Sequence, residues 1–147
     1  MKRVWIACVL ALVLPTAAYP DGPEKEQERV PAGSSYDRGR QAVSGGQWET
    51  AVGLFREAAE QNPKDHAAYN MLGYALRKTN HPQEALEAYN RALALKPDYA
   101  PALEYRGEAH LMLKNKGAAM ADYQALVRLG SPLAQDLKKR IDSAPAN

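Results

Sequence analysis

Of the residues able to do acid, base or metal chemistry, the three histidines His66, His81 and His110 and the carboxylates Glu104 and Glu108 come first by type and spacing. The histidines fall in neither His-x-x-x-His nor His-Glu-x-x-His spacing, which would set two ligands on one helix face. There is no Gly-x-Ser-x-Gly nucleophile turn and no phosphate-cradling glycine loop. His81 precedes Pro82 in a turn, His66 opens a helix, and His110 sits where the surrounding pattern expects an apolar residue, so all three read as structural. Glu104 and Glu108 lie one helical turn apart on one face and could form an acid/base or metal-binding pair. No third ligand accompanies them, and they read as a solvated or groove-lining pair. The sequence therefore predicts no catalytic residue, no metal site and no cofactor. An accessory subunit that binds a small ligand or metal through Glu104, Glu108 and His110 is kept as the alternative.

The elements that position these residues follow from a periodic stretch at 65–97. Tyr69, Leu72, Gly73 and Leu76 recur at helical spacing, Asn80, His81 and Pro82 break the chain, and Ala85, Tyr89, Ala92 and Pro97 follow on a second helix. Shifted back by 34 residues, Gly73, Ala85, Tyr89, Ala92 and Pro97 become Gly39, Ala51, Phe55, Ala58 and Pro63. Shifted forward, they become Gly107, Ala119, Tyr123, Leu126 and Ser131. The chain thus carries an internal repeat of helical hairpins. Packing explains the residue types. Gly73 lets the second helix lie close, Ala85 and Ala92 keep the facing surfaces thin, and Tyr89 fills the hollow between. Each large buried side chain contributes about 1.5–3 kcal/mol, yet one hairpin leaves half its apolar surface wet, so copies must stack. Pro63 and Pro97 stop their helices, and Asp65 and Asp98 are placed to cap the next ones.

This pattern resembles the tetratricopeptide repeat family over residues 34–131, with copies at about 34–65, 66–99 and 100–131. The middle copy matches best. The outer ones depart at Ser35, Arg38 and Ala42, and at Arg106, His110, Leu126 and Ser131. The resemblance implies an all-α, right-handed superhelix of three hairpins, with the first helices lining a concave groove for a peptide or a partner's helix. By position that groove holds Tyr36, Arg40, Asn70, Tyr74, Arg77, Lys78, Glu104, Glu108 and Met112, and Tyr and Arg are enriched among residues that dominate binding energy. Family members that clamp the C-terminal carboxylate of cytosolic chaperones use Lys, Asn and Arg where this chain has Tyr36, Arg40, Met71, Pro101 and Tyr105, so that use is not expected. The expected function is non-enzymatic protein binding, as an adaptor or assembly factor.

The ends of the chain are of another kind. Lys2 and Arg3, an apolar run from Val4 to Leu14, and Thr16-Ala17-Ala18 read as a secretory signal cleaved after Ala18. Lipid modification at Cys8 is disfavoured because the apolar run continues past it, whereas retention as an anchor stays open. Cleavage removes two of the 19 basic residues and none of the 17 acids, leaving a neutral chain without cysteine. No nucleic-acid partner and no stable membrane insertion after cleavage are expected. Residues 19–33, rich in Pro, Gly and charge, read as a disordered leader. Residues 132–147 hold a capping helix with Leu133, Leu137 and Ile141 on one face, shielding the end of the stack. Trp48, beside the Gly45-Gly46 turn, reads as a packing residue. Taken with the resemblance to exported repeat proteins, the short signal points to the periplasm of a Gram-negative bacterium, with another envelope protein as partner.

Overall fold

The computed structural model describes residues 33–145; the expected signal and most of the expected leader lie outside them. Among the described residues seven helices follow one another: α1 (Ser35–Ser44), α2 (Trp48–Gln61), α3 (His66–Lys78), α4 (Pro82–Leu95), α5 (Ala100–Met112), α6 (Lys116–Arg128) and α7 (Leu133–Ser143). Among the described residues there is no strand. Helices α1/α2, α3/α4 and α5/α6 pack as hairpins, and α2 on α3, α4 on α5 and α6 on α7 join them into a superhelix. First helices also meet directly, α3 on α5 and α5 on α7.

The turns repeat with the same period as the helices. Gly46, Asn80 and Lys114 all take the left-handed backbone, with φ of 70°, 64° and 57°. Glycine and asparagine tolerate that region, while lysine adopts it at a cost. Helix starts are capped where the local residues allow. Ser34 Oγ accepts from Asp37 N, Asp65 Oδ1 accepts from Ala67 N and Ala68 N, and Asn115 Oδ1 accepts from Ala118 N. Asp98 does not cap α5 as the sequence suggests: the N-cap is Tyr99, which makes no side-chain capping bond, and Pro101 lies in the first turn.

The core runs the length of the stack. Ala51, Phe55, Ala85, Tyr89, Ala92, Ala119, Leu126, Leu137 and Ile141 are all fully buried. Pro63 and Pro97 sit exposed in the turns after α2 and α4. A methyl group added at Gly39 would lie 2.7 Å from the Phe55 ring, and one at Gly73 would lie 2.6 Å from the Tyr89 ring. The close approach in these two hairpins therefore requires glycine. The third hairpin differs. The side chain nearest Gly107 is Leu137 of α7, 2.6 Å from such a methyl. Tyr123, placed by the repeat over Gly107, is instead half-buried and lines an open cleft of about 600 Å³ with Val127, Ala134 and Lys138. The capping helix does more than shield the end: it supplies the side chain nearest the third glycine.

Candidate functional site on the first helices

On α3, His66, Asn70, Tyr74 and Lys78 recur every fourth residue and so share one stripe. On α5 the matching stripe carries Ala100, Glu104, Glu108 and Met112. The two are held in register at both ends. His66 packs edge-on against Tyr99 at 4.6 Å between ring centres, Tyr74 lies 5.3 Å from Tyr105, and Arg77 pairs with Glu108. Trp48 meets Tyr74 edge-on at 5.8 Å, and the Lys78 ammonium lies 5.1 Å from the Trp48 ring and 6.0 Å from Tyr74. The result is a row of aromatic rings, Trp48, Tyr74 and Tyr105, running across three helices with a cation on top.

Arg77 is the hub beneath this row and not a free contact residue. Its guanidinium carbon lies 5.5 Å from both the Tyr74 and the Tyr105 ring, and its Nη1 bonds Glu108. Glu108, 6% exposed, takes a second arginine, Arg140 of α7, at 2.8 Å. The two arginines tie α3, α5 and α7 together through one buried carboxylate. Tyr89 Oη lies buried without a hydrogen-bond partner. Burial drives its pKa far above the usual tyrosine range, against the opposing pull of Arg77.

Two expectations for this surface therefore change. Glu104 and Glu108 are not solvated: both are more than nine-tenths buried, because α7 covers the outer flank of α5. Arg77 is engaged by Glu108, so its removal would disturb the stack as well as the surface. The remaining groove residues are accessible to different degrees. Arg40, Lys78 and Met112 are exposed, Tyr36 and Tyr74 half-buried, and Asn70 buried with Oδ1 unpartnered. Tyr36 packs edge-on against Phe55 at 5.7 Å.

The trio of Glu104, Glu108 and His110 does not assemble. His110 lies near Asp122 and Arg106, its Nδ1 is buried without a partner, and desolvation lowers its pKa. Among the described residues, no three His, Cys, Asp or Glu side chains gather as a metal site. A polar cluster missed by sequence reasoning accompanies His110: Arg106 bonds Asp122 through Nε at 3.1 Å and Nη2 at 2.6 Å, and Asn90 of α4 through Nη1 at 2.7 Å. The signal was present in the departures at Arg106 and at Asp122, which stands where the second copy has Ala88. It became visible only when both were placed on facing helices.

The tetratricopeptide repeat family model matches residues 36–100 and again 71–134. The chain is a tetratricopeptide repeat protein. A wheat (Triticum aestivum) Hsp70-Hsp90 organizing protein is 32% identical over 107 residues, which is 73% of this chain and 18% of that protein. The peroxisomal targeting signal receptor of Kluyveromyces lactis is 45% identical over 51 residues, 35% of this chain and 9% of that one. The repeat protein thus spans less than a fifth of these curated relatives. Among solved structures, an Arabidopsis OM64 TPR domain matches with a TM-score of 0.67 and 27% identity, covering 73% of this chain and 90% of that one. The first TPR of Spaghetti (RPAP3), bound to the HSP90 peptide SRMEEVD, matches at 0.70 and 20% identity over 75% and 89%. The second of these likenesses shows the fold alone.

Proposed function

We propose that this tetratricopeptide repeat protein is a non-enzymatic interaction module that holds an extended segment or helix of another protein against the face formed by α1, α3 and α5. One observation carries the reading. Trp48, Tyr74 and Tyr105 form a half-exposed aromatic row with Lys78 over it, beside Met112, which is 42% exposed. Aromatic rings fixed by their neighbours lose little entropy on binding, and such residues dominate interface energy. Relatives of the same fold have been solved with peptides, which supports the reading. The five chaperone-clamp positions hold Tyr36, Arg40, Met71, Pro101 and Tyr105, so a C-terminal carboxylate is not the ligand these residues favour.

The proposed location is the bacterial envelope, on the strength of the signal sequence, with Tyr19 as first residue after cleavage and an envelope protein as partner. N-terminal sequencing of the protein purified from the envelope fraction tests this; a chain still beginning at Met1 contradicts cleavage. The groove is tested by placing a photoreactive residue at position 112 or at 87, on the exposed face of α4. The proposal expects specific crosslinks from position 112 alone. Equal crosslinking from both positions would move the contact off the groove.

A further inference from the structure

The exposed charge of the groove is positive. Arg40 and Lys78 are exposed and, among the described residues, form no ion pair, whereas Glu108 is buried and held by Arg77 and Arg140, and Glu104 is only 8% exposed. Below Lys78, the half-buried rings of Trp48, Tyr74 and Tyr105 follow one another at 5.8 and 5.3 Å between centres. The stretch of chain that leads into α1 has the complementary composition. Residues 19–32 hold Asp21, Glu24, Glu26 and Glu28 against Lys25 and Arg29, and Pro20-Asp21-Gly22-Pro23-Glu24 sets two prolines three residues apart.

We propose that residues 20–24 dock on the aromatic row of their own chain and hold the groove until a partner displaces them. Prolines at this spacing favour the polyproline II helix, in which three residues make one turn of about 9 Å. Pro20 and Pro23 then share one edge, and Asp21 and Glu24 share the next. The proline edge matches the length of the ring row, and rigid prolyl rings laid on aromatic rings bind with little loss of conformational entropy. The acidic edge meets Lys78 and Arg40, cations that would repel a basic segment.

The reach fits a single molecule. Trp48 opens α2 just past the Gly45-Gly46 turn, so the row lies at the far end of α1 from Gly33, and the 10 residues of α1 span about 15 Å. Pro23 stands ten residues before Gly33. An unstructured chain of that length averages about 17 Å end to end and extends to about 33 Å. This occupancy rests on the groove reading and names the groove's resident ligand.

The test uses the full chain purified from the envelope fraction, with a photoreactive residue in place of Gly22. The expected crosslinks stay within one molecule and fall on the peptides that carry Trp48, Tyr74 and Lys78. The second measurement is competition, with a synthetic peptide of residues 19–32 as the probe and the indole N–H signal of Trp48 as the readout. The wild type should bind this peptide about tenfold more weakly than the variant Pro23→Ser with Glu24→Lys, because its own segment, at an effective concentration in the millimolar range, must first leave. Equal affinity of the two proteins, no shift of the Trp48 signal in either, or crosslinks that run between copies or miss the groove would each overturn self-occupancy. Crosslinking of another protein from position 112 reads the groove separately: if it persists, the groove stands without its resident segment, and if it too is lost, both readings fall.

Discussion

The second and third hairpins share a backbone plan and solve it with different chemistry. In the second, Gly73 receives the Tyr89 ring and Leu72, Ala88 and Ala92 complete an apolar junction. In the third, Arg106 stands where Leu72 stands and Asp122 where Ala88 stands, and the two bond each other across the hairpin while Asn90 links them back to α4. Gly107 is met by Leu137 of the capping helix instead of by Tyr123. One repeat is thus closed by burial, whereas the next uses paired charge and a helix from outside its own hairpin. Apolar packing tolerates imprecise partners; a buried pair does not, because removing one member strands the other.

The largest effect should come from that contrast. Arg106→Ala leaves Asp122, 3% exposed, without its cation and should cost about 3 kcal/mol or more in chemical denaturation. Arg38→Ala, at the same position of the first hairpin but with an unpartnered Nε, should cost well under half of that. Next is overpacking. Gly73→Leu should lower stability by about 1–3 kcal/mol, because Tyr89 is enclosed on all sides. Gly107→Leu should cost less, since Leu137 is flexible and rides on the terminal helix. A melting midpoint lower for Gly107→Leu than for Gly73→Leu would reverse the comparison.

A third effect is pH-dependent. His110 has its folded pKa below the unfolded value because burial disfavours the charged ring, so its contribution is intact at neutral pH and is lost as pH falls through the window below 6.5. His110→Leu, which copies Leu76 of the second hairpin, should therefore stabilise more at pH 5 than at pH 8. The smallest effect is at the turns. Lys114→Gly should stabilise by about 0.5–1 kcal/mol by relieving the left-handed lysine, while Gly46→Lys should do the opposite.

The hairpins were legible in the sequence because their period and their small residues are local: Gly39, Gly73, Ala85 and Tyr89 announce themselves at fixed spacing. Asp65 as a cap was equally local. What the sequence hid was long-range. Nothing in the spacing of Arg77, Glu108 and Arg140 shows that one carboxylate joins three helices, and the residues placed on the groove by position included two, Arg77 and Glu108, that the stack itself consumes. Tyr123 and Leu137 exchanged roles for the same reason: the repeat pattern extends to the third hairpin, but the neighbour that completes its packing lies outside the repeat. Asp98 does not cap because the 34-residue period carries the Asp65 position to Tyr99: α5 starts in register at Ala100, and Asp98 stands one residue before the capping place.

The proposed function places the partner on the aromatic row and its lysine. The most direct measurement is the affinity of a crosslinked and purified partner for wild type, for Tyr74→Ala with Lys78→Ala, and for Glu87→Ala. Loss of anchors from a well-packed contact costs about 2 kcal/mol or more, so the double variant should bind roughly thirtyfold more weakly while Glu87→Ala binds as wild type. Undiminished binding by a folded double variant would contradict the claim and direct attention to another face of the stack.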